Sequence, residues 1–331
     1  MTVPVGKQSR RRIRLRYLER VFVLFGLIAG LASAPAPAQA ESQHMKVAVT
    51  VDDLPANGDL LPGITRMQIT EGVLHALKAN GITEAYGFAN GTDIAKEPEL
   101  LEVLKAWLRA GYPIGNHTFT HADLDQVGIA SYLSDIEQMQ KLLDTLAPMS
   151  AIKDSRCFRY PYMHEGISLE QRDAVRNFLS ANGYRIAQVT INWEDWAWNE
   201  AYTRCVRNHD DKSAKWLERQ VVAVAEQQLR NSKDMAEKLF KRDIAHILLI
   251  HDNMFNAAVL DSILQEFRRQ GVQMITLNDA LADPVYQLNP GVTARDGIPF
   301  LERIAASRNI KIDSAQDTIY MRDALRNVCK Q

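Results

Sequence analysis

The chain has 331 residues, of which 46% are hydrophobic and 24% charged, with a net charge of −1. That balance is ordinary for a globular protein and supplies core material for one large α/β domain or two small ones. It offers no basic stripe of the kind nucleic-acid binding requires, so no nucleic-acid partner is expected.

The amino terminus differs from the rest. Arg10, Arg11, Arg12, Arg14, Arg16 and Arg20 form a basic head, and Val21 to Ala34 is an apolar run without charge. A small-x-small pattern, Ala38-Gln39-Ala40, follows. This layout predicts a cleaved signal peptide over residues 1–40, and hence an exported protein, periplasmic or secreted. The apolar run falls short of the roughly 20 residues of a membrane span, so no stable membrane association is expected after cleavage. Ser9-Arg10-Arg11 also suits twin-arginine export. Residues 1–40 carry a net +6, so the full-chain −1 leaves −7 for the remainder.

Three cysteines are present, Cys157, Cys205 and Cys329. In an oxidising compartment one pair can be bridged. Cys157 and Cys205 lie near two of the motifs below and form the preferred pair.

From Lys46 onward, short apolar runs alternate with amphipathic segments. Lys46 to Val51 reads as a strand, Gln68 to Asn80 as a helix, and Ala85 to Ala89 as a strand. Pro98 to Ala110 is a second helix, and Tyr112 to Asn116 a strand. Ile129 to Leu146 is a helix, Arg156 to Arg159 a short strand, Leu169 to Asn182 a helix, and Tyr184 to Ile191 a strand. Asp211 to Lys241 reads as a long helix, expected as a solvated surface element rather than a lid. His246 to His251 is a strand, Ala257 to Gln270 a helix and Gln273 to Leu277 a last strand. Gly81, Gly111, Gly183 and Gly271 each end a helix just before a strand. Repeated junctions of that kind predict an α/β fold with a mainly parallel sheet. Pro299 to Arg308 and Ile319 to Cys329 are two further amphipathic segments beyond it.

The chemistry-bearing residues fall at the ends of predicted strands. Asp52-Asp53 ends the first, and His117 and His121, four residues apart, follow the strand at Asn116. Arg159, Asp195 and His251 close three others or follow them closely. In parallel α/β folds the carboxyl ends of the strands form the functional face, so these five sites are expected to meet.

In this order the residues resemble the motifs of the polysaccharide deacetylase family, the NodB-homology domain of carbohydrate esterases. Thr50-Val51-Asp52-Asp53 is similar to its first motif and His117-Thr118-Phe119-Thr120-His121 to its second. Arg159-Tyr160-Pro161-Tyr162, Asn192-Trp193-Glu194-Asp195-Trp196 and Leu249-Ile250-His251 resemble the remaining three. The resemblance implies a distorted (β/α) barrel, usually of seven strands. It places the catalytic domain at residues 41–284, and the two amphipathic segments beyond it are expected to make residues 285–331 a helical carboxy-terminal extension. It further implies one divalent metal, most often zinc, on Asp53, His117 and His121. Three protein ligands leave room for water and substrate, as a catalytic site requires.

The same resemblance assigns roles. Asp52 is the base toward metal-activated water, oriented by Arg159. His251 is the acid toward the leaving amine, tuned by Asp195. The Tyr162 backbone N–H helps to hold the oxyanion, and Trp196 and Leu249 wall the acetyl pocket. The expected partner is an acetylated glycan and the reaction removal of its N-acetyl groups. An O-acetyl esterase, a non-sugar amide hydrolase and a non-catalytic glycan-binding protein are the alternatives. Asn192 stands where the family has Asp, and Met163 where it often has Gly. Met163, with His164 beside it, and the long segment between motifs four and five suggest a reshaped rim, while Asp195, expected to tune the histidine, is present. His164, Glu165, Trp193 and Trp198 are further candidates to face substrate, whereas His44, His75, His209 and His246 read as structural or surface groups.

Overall fold

The computed structural model describes residues 44–55, 57–150, 156–293, 297–312 and 314–330, without the side chains of 314–320. The expected signal peptide lies outside the described residues.

Strand β1, Lys46–Leu54, is central, and every residue after Lys46 is buried. A near-continuous apolar run of this kind suits a parallel strand covered on both faces. In chain order α1 (Arg66–Ala79), β2 (Ala85–Ala89), α2 (Thr92–Lys96), α3 (Leu101–Arg109), β3 (Ile114–Asn116) and α4 (Ile129–Leu146) follow. Next come β4 (Cys157–Phe158), α5 (Leu169–Ala181), β5 (Arg185–Ile186), α6 (Asp195–Arg207) and α7 (Asp211–Phe240). The described chain finishes with β6 (Ala245–His251), α8 (Met254–Arg269), β7 (Gln273–Ile275), α9 (Leu277–Leu281), α10 (Phe300–Ser307) and α11 (Ser314–Asn327).

The seven strands form one sheet in the order β5-β4-β3-β2-β1-β6, with β7 added on β1. All the pairings are parallel. β7 pairs with Lys46 to Ala48 and β2 with Val49 onward, so the two share successive stretches of the central strand. The predicted strand Tyr184 to Ile191 is broken. Its start pairs with β4, while Ile191 bridges Leu248 of β6. One segment thereby touches both ends of the sheet and curls it into a distorted barrel.

The four glycines behave as the junction pattern requires. Each has a positive φ, and the next residue's N–H returns to the helix, as in Ile82 to Leu77 O and Tyr184 to Leu179 O. This left-handed closure releases the chain directly into the next strand.

Three expectations change. The long helix α7 is not simply a solvated surface element. Its Leu217, Val221, Ala225 and Leu229 join the main core, while Met235, Ala236 and Leu239 join a second cluster. The preferred Cys157–Cys205 pair does not form. Cys205 of α6 is bonded to Cys329, with Cα atoms 5.2 Å apart, and Cys157 is a free thiol buried in β4. The reason is tertiary: the segment after α11 returns to α6, whereas Cys157 points into the core under the sheet. Finally, Trp193 and Trp198 are core residues rather than sugar platforms, since both are almost fully buried.

The carboxy-terminal helices pack on the barrel. Phe300, Leu301, Ile304 and Ala305 are buried in one cluster with Ile247 of β6 and Tyr286. No described helix is long and apolar enough to cross a membrane.

Candidate active site

The five sequence-predicted positions meet at the carboxyl ends of the strands. β1 delivers two adjacent carboxylates with different surroundings. Asp52 is buried and accepts from Arg159 Nη1 at 3.1 and 3.3 Å. Arg159 is itself fixed, since Nη2 donates to Thr50 Oγ1 at 2.9 Å, Nε donates to Ala187 O, and its guanidinium lies over the Phe88 ring. Burial pulls the Arg159 pKa down against the opposing charge of Asp52.

Asp53 turns the other way, with φ at +62°. Its Oδ1 faces His117 Nε2 at 3.3 Å and His121 Nε2 at 3.2 Å. Its Oδ2 accepts from Asn57 Nδ2 at 2.7 Å. Burial opposes ionisation here, yet the His121 charge, the contacts of both imidazoles and His251 outweigh it. The carboxyl is held well below the ordinary carboxylate range.

The loop carrying the histidines is braced on several sides. Asn116 Oδ1 accepts from Thr118 N, and Thr118 Oγ1 accepts from Ala122 N. Asp135 of α4 accepts from Thr120 N and Oγ1 at 3.0 and 3.1 Å. Asn90 donates to the carbonyls of His117 and Thr118. His117 Nδ1 lies 2.8 Å from the Arg159 carbonyl. A carbonyl can only accept, so Nδ1 carries a proton and Nε2 is the ring nitrogen that faces Asp53.

Asp53, His117 and His121 form one of two described groups able to hold a metal ion. The donor set fits a divalent cation. Asp53 Oδ1 is buried and has no aligned hydrogen-bond donor, while two imidazole nitrogens converge on it. Without a proton or a cation between them, those lone pairs would repel. One carboxylate and two imidazoles is a common catalytic ligand set with positions left open.

Opposite the triad stands His251, at the end of β6 and paired in register with Asp52. Its Nε2 lies 4.0 Å from Asp53 Oδ2, and its Nδ1 meets Asp195 Oδ1 at 2.8 Å. Asp195 is completely buried in the first turn of α6. Its Oδ2 also accepts from the His251 backbone N–H, from Asn253 and from Asn256. Burial acts against the imidazolium, but Asp195, Asp53 and Asp52 together push the His251 pKa up to about 9. A cation on Asp53 would cancel part of that pull.

The remaining predicted residues sit around this centre. Tyr162 is half exposed, and its ring edges onto His121 with centroids 4.4 Å apart. Leu249 is buried two residues before His251, in register with Thr50. Trp196 is partly buried, with the Arg322 guanidinium 5.9 Å from its ring. His164 binds Asp123 at 2.8 Å and lies near Asp125, which makes the second possible metal group. Glu165 is buried among arginines and does not face a substrate space. His246 is buried against Asp243.

Sequence reasoning missed the supporting amides. Asn57, Asn253 and Asn256 hold the acidic residues, and Asn192 accepts from Glu194 N in the turn before Asp195. Their nearness to the motifs was the available signal, but nothing in it separates a supporting amide from a helix cap. Six residues here adopt a positive φ without being glycine: Asp53, Thr118, His121, Tyr162, Met163 and Glu194. Such backbone is costly and tends to gather where side chains must be aimed.

Residues 39–187 match the family model described as polysaccharide deacetylase. A chitin deacetylase of Arthroderma benhamiae is 22% identical over 246 residues, covering 72% of this chain and 52% of its own. The chain thus spans about half the length of that curated relative. Among solved structures, a restored-activity mutant of a family 4 carbohydrate-esterase pseudoenzyme gives a TM-score of 0.48 at 19% identity. It covers 72% of this chain and 68% of its own. The peptidoglycan deacetylase PdaC of Bacillus subtilis gives 0.44 at 22% identity, covering 72% and 90%.

Proposed function

We propose that this chain, whose residues 39–187 match the polysaccharide deacetylase family model, is a metal-dependent hydrolase that removes N-acetyl groups from a glycan. The observation that carries this reading is the shared centre. The two oxygens of Asp53 face a pair of imidazoles on one side and the His251–Asp195 pair on the other.

Asp53, His117 and His121 would hold one divalent cation, with zinc the first choice for an oxygen–nitrogen ligand set. When bound, the cation would polarise the acetyl carbonyl and make nearby water more acidic. Asp52, held by Arg159, takes the proton of the attacking water. His251, oriented by Asp195, gives a proton to the amine nitrogen as the C–N bond breaks, so water and amide yield acetate and amine. The Tyr162 N–H would share the developing oxyanion charge. Leu249 and Trp196 would wall the acetyl methyl.

We further read the protein as exported. The basic, apolar and small-residue order of residues 1–40 supports this, as does the Cys205–Cys329 disulfide, a bond characteristic of oxidising compartments.

The test is acetate release from a panel of N-acetylated glycans, O-acetylated glycans and small amides. The expected outcome is release from an N-acetylated glycan, reduced by about 10² or more in Asp52→Asn and in His251→Ala. Undiminished release in Asp52→Asn would reject the mechanism. Activity confined to O-acetyl esters would reject the substrate class.

A further inference from the structure

Helix α6 carries Asp195 in its first turn, and α11 runs beside it. Their contacts advance in the same order along both helices. At the start, Arg322 Nε lies 2.6 Å from Glu194 Oε2, an ion pair without an aligned hydrogen bond. The same guanidinium stands 5.9 Å from the Trp196 ring. Further on, Arg204 donates to the carbonyls of Leu325 and Val328, and Asn208 to that of Cys329. The Cys205–Cys329 bond closes the far end.

Arg322 thus grips the two residues that flank Asp195. One of them, Glu194, is the residue that needs help. It caps α6 in the left-handed region, with φ at +56° and ψ at +48°, and its own side chain forms no capping hydrogen bond. That conformation is unfavourable for a side chain of its size. If Glu194 relaxed toward ordinary φ, the peptide into Asp195 would swing. Asp195 Oδ1 and Oδ2 would then leave His251 Nδ1 and N together, because both contacts share one carboxylate.

We infer that Arg322 is a positioning residue for the Asp195–His251 pair, and that α11 is the strut that holds it there. The inference rests on the proposed role of that pair in deacetylation. Arg322 does not touch the reacting groups and acts through Glu194 and Trp196. The disulfide and the Arg204 contacts keep α11 in line for it. The carboxy-terminal segment beyond the barrel is therefore part of the catalytic apparatus.

The experiment measures acetate release by the full chain as wild type, Arg322→Ala, Arg322→Lys, Asp195→Asn and the Arg322→Ala/Asp195→Asn double variant. Arg322→Ala is expected to lower kcat by about tenfold with KM little changed, because it misplaces a group without removing a binding contact. Arg322→Lys, which keeps the charge beside Glu194, should recover most of that loss. In the Asp195→Asn background the Arg322→Ala change should have no further effect, since the coupled pair is already broken. An equal fall in both backgrounds, or an unchanged kcat in Arg322→Ala, overturns the inference. Should Asp195→Asn itself leave kcat intact, the proposed role of the pair fails instead. The positioning is then read from the nitrogen-15 spectrum of histidine-labelled protein. Loss of the His251 imidazole N–H signal in Arg322→Ala supports it, and an unchanged signal overturns it.

Discussion

Asp53 shows how far a single residue can be read. Two imidazole nitrogens face one of its oxygens at 3.2 and 3.3 Å, and that oxygen is buried. The charges of His121 and His251 and the contacts of both imidazoles hold its carboxyl ionised against burial. A divalent cation would take over that role and bind the folded state alone. Chelator-stripped protein should therefore gain stability when zinc is added, by about 2.7 kcal/mol at a hundredfold excess over Kd. His117→Ala should show little of that gain, because Asp53 and His121 alone form a poor site. The shift in Tm and the metal content after dialysis measure the effect. An equal gain in His117→Ala would place the cation elsewhere, and the Asp123, Asp125 and His164 group would be the place to look.

At the scale of elements, much of the fold can be read in the chain because its junctions are local. The α4 helix begins and ends where its apolar spacing says it should, at Ile129 and Leu146. The four glycine stops are equally local. Helix α6 was missed because its start is not. Glu194 offers no side-chain cap, and Asp195 turns to His251 rather than to its own helix. The apolar stripe of α7 is hidden by charges on its other faces, so a helix anchored in the core reads as solvated. The cysteine pairing is the clearest case of information absent from local sequence. Cys205 and Cys329 are 124 residues apart and meet only because α11 packs along α6. A bond closing so long a loop removes much unfolded-state entropy. The Cys205→Ser/Cys329→Ser variant should lose stability, by up to about 4–5 kcal/mol on the chain-entropy account. Cys157→Ser should lose far less, as it deletes no cross-link. Denaturant midpoints compare the two variants, and a disulfide-linked peptide containing Cys205 and Cys329 identifies the bond. A linked peptide containing Cys157 would contradict the structure.

For the molecule as a whole, the sequence hides how the barrel closes and how its carboxy-terminal segment is joined to it. The motif order places the active-site residues, since each lies at a strand end and parallel strands share one functional face. The segment Tyr184 to Ile191 reads as one strand, but it divides its pairing between β4 and β6, and only the assembled sheet decides that. Near this closure, Glu165 receives Arg176 at 3.1 Å and Arg172 at 3.4 Å, together with Arg303 of α10. Gln188, from the closing segment, donates to it at 2.8 Å. One buried carboxylate therefore joins α5, the closing segment and α10. Burial resists its ionisation, but Arg303 and Arg176 prevail and bring its pKa down to about 2, against an ordinary 4.5. Between those two values the unfolded chain binds a proton that the folded chain refuses. The stability from this group is therefore fully present above about pH 4.5 and is lost as the pH falls toward about 2. The size is on the order of 3 kcal/mol, at about 1.36 kcal/mol for each pH unit between those two values. Glu165→Gln should be clearly less stable at neutral pH, because it leaves the arginines buried without their counter-charge. The gap between wild type and variant should narrow steadily from pH 5 to pH 3. Urea unfolding midpoints over that range test this, and two parallel curves would show that Glu165 is not the group that makes the carboxy-terminal junction sensitive to acid.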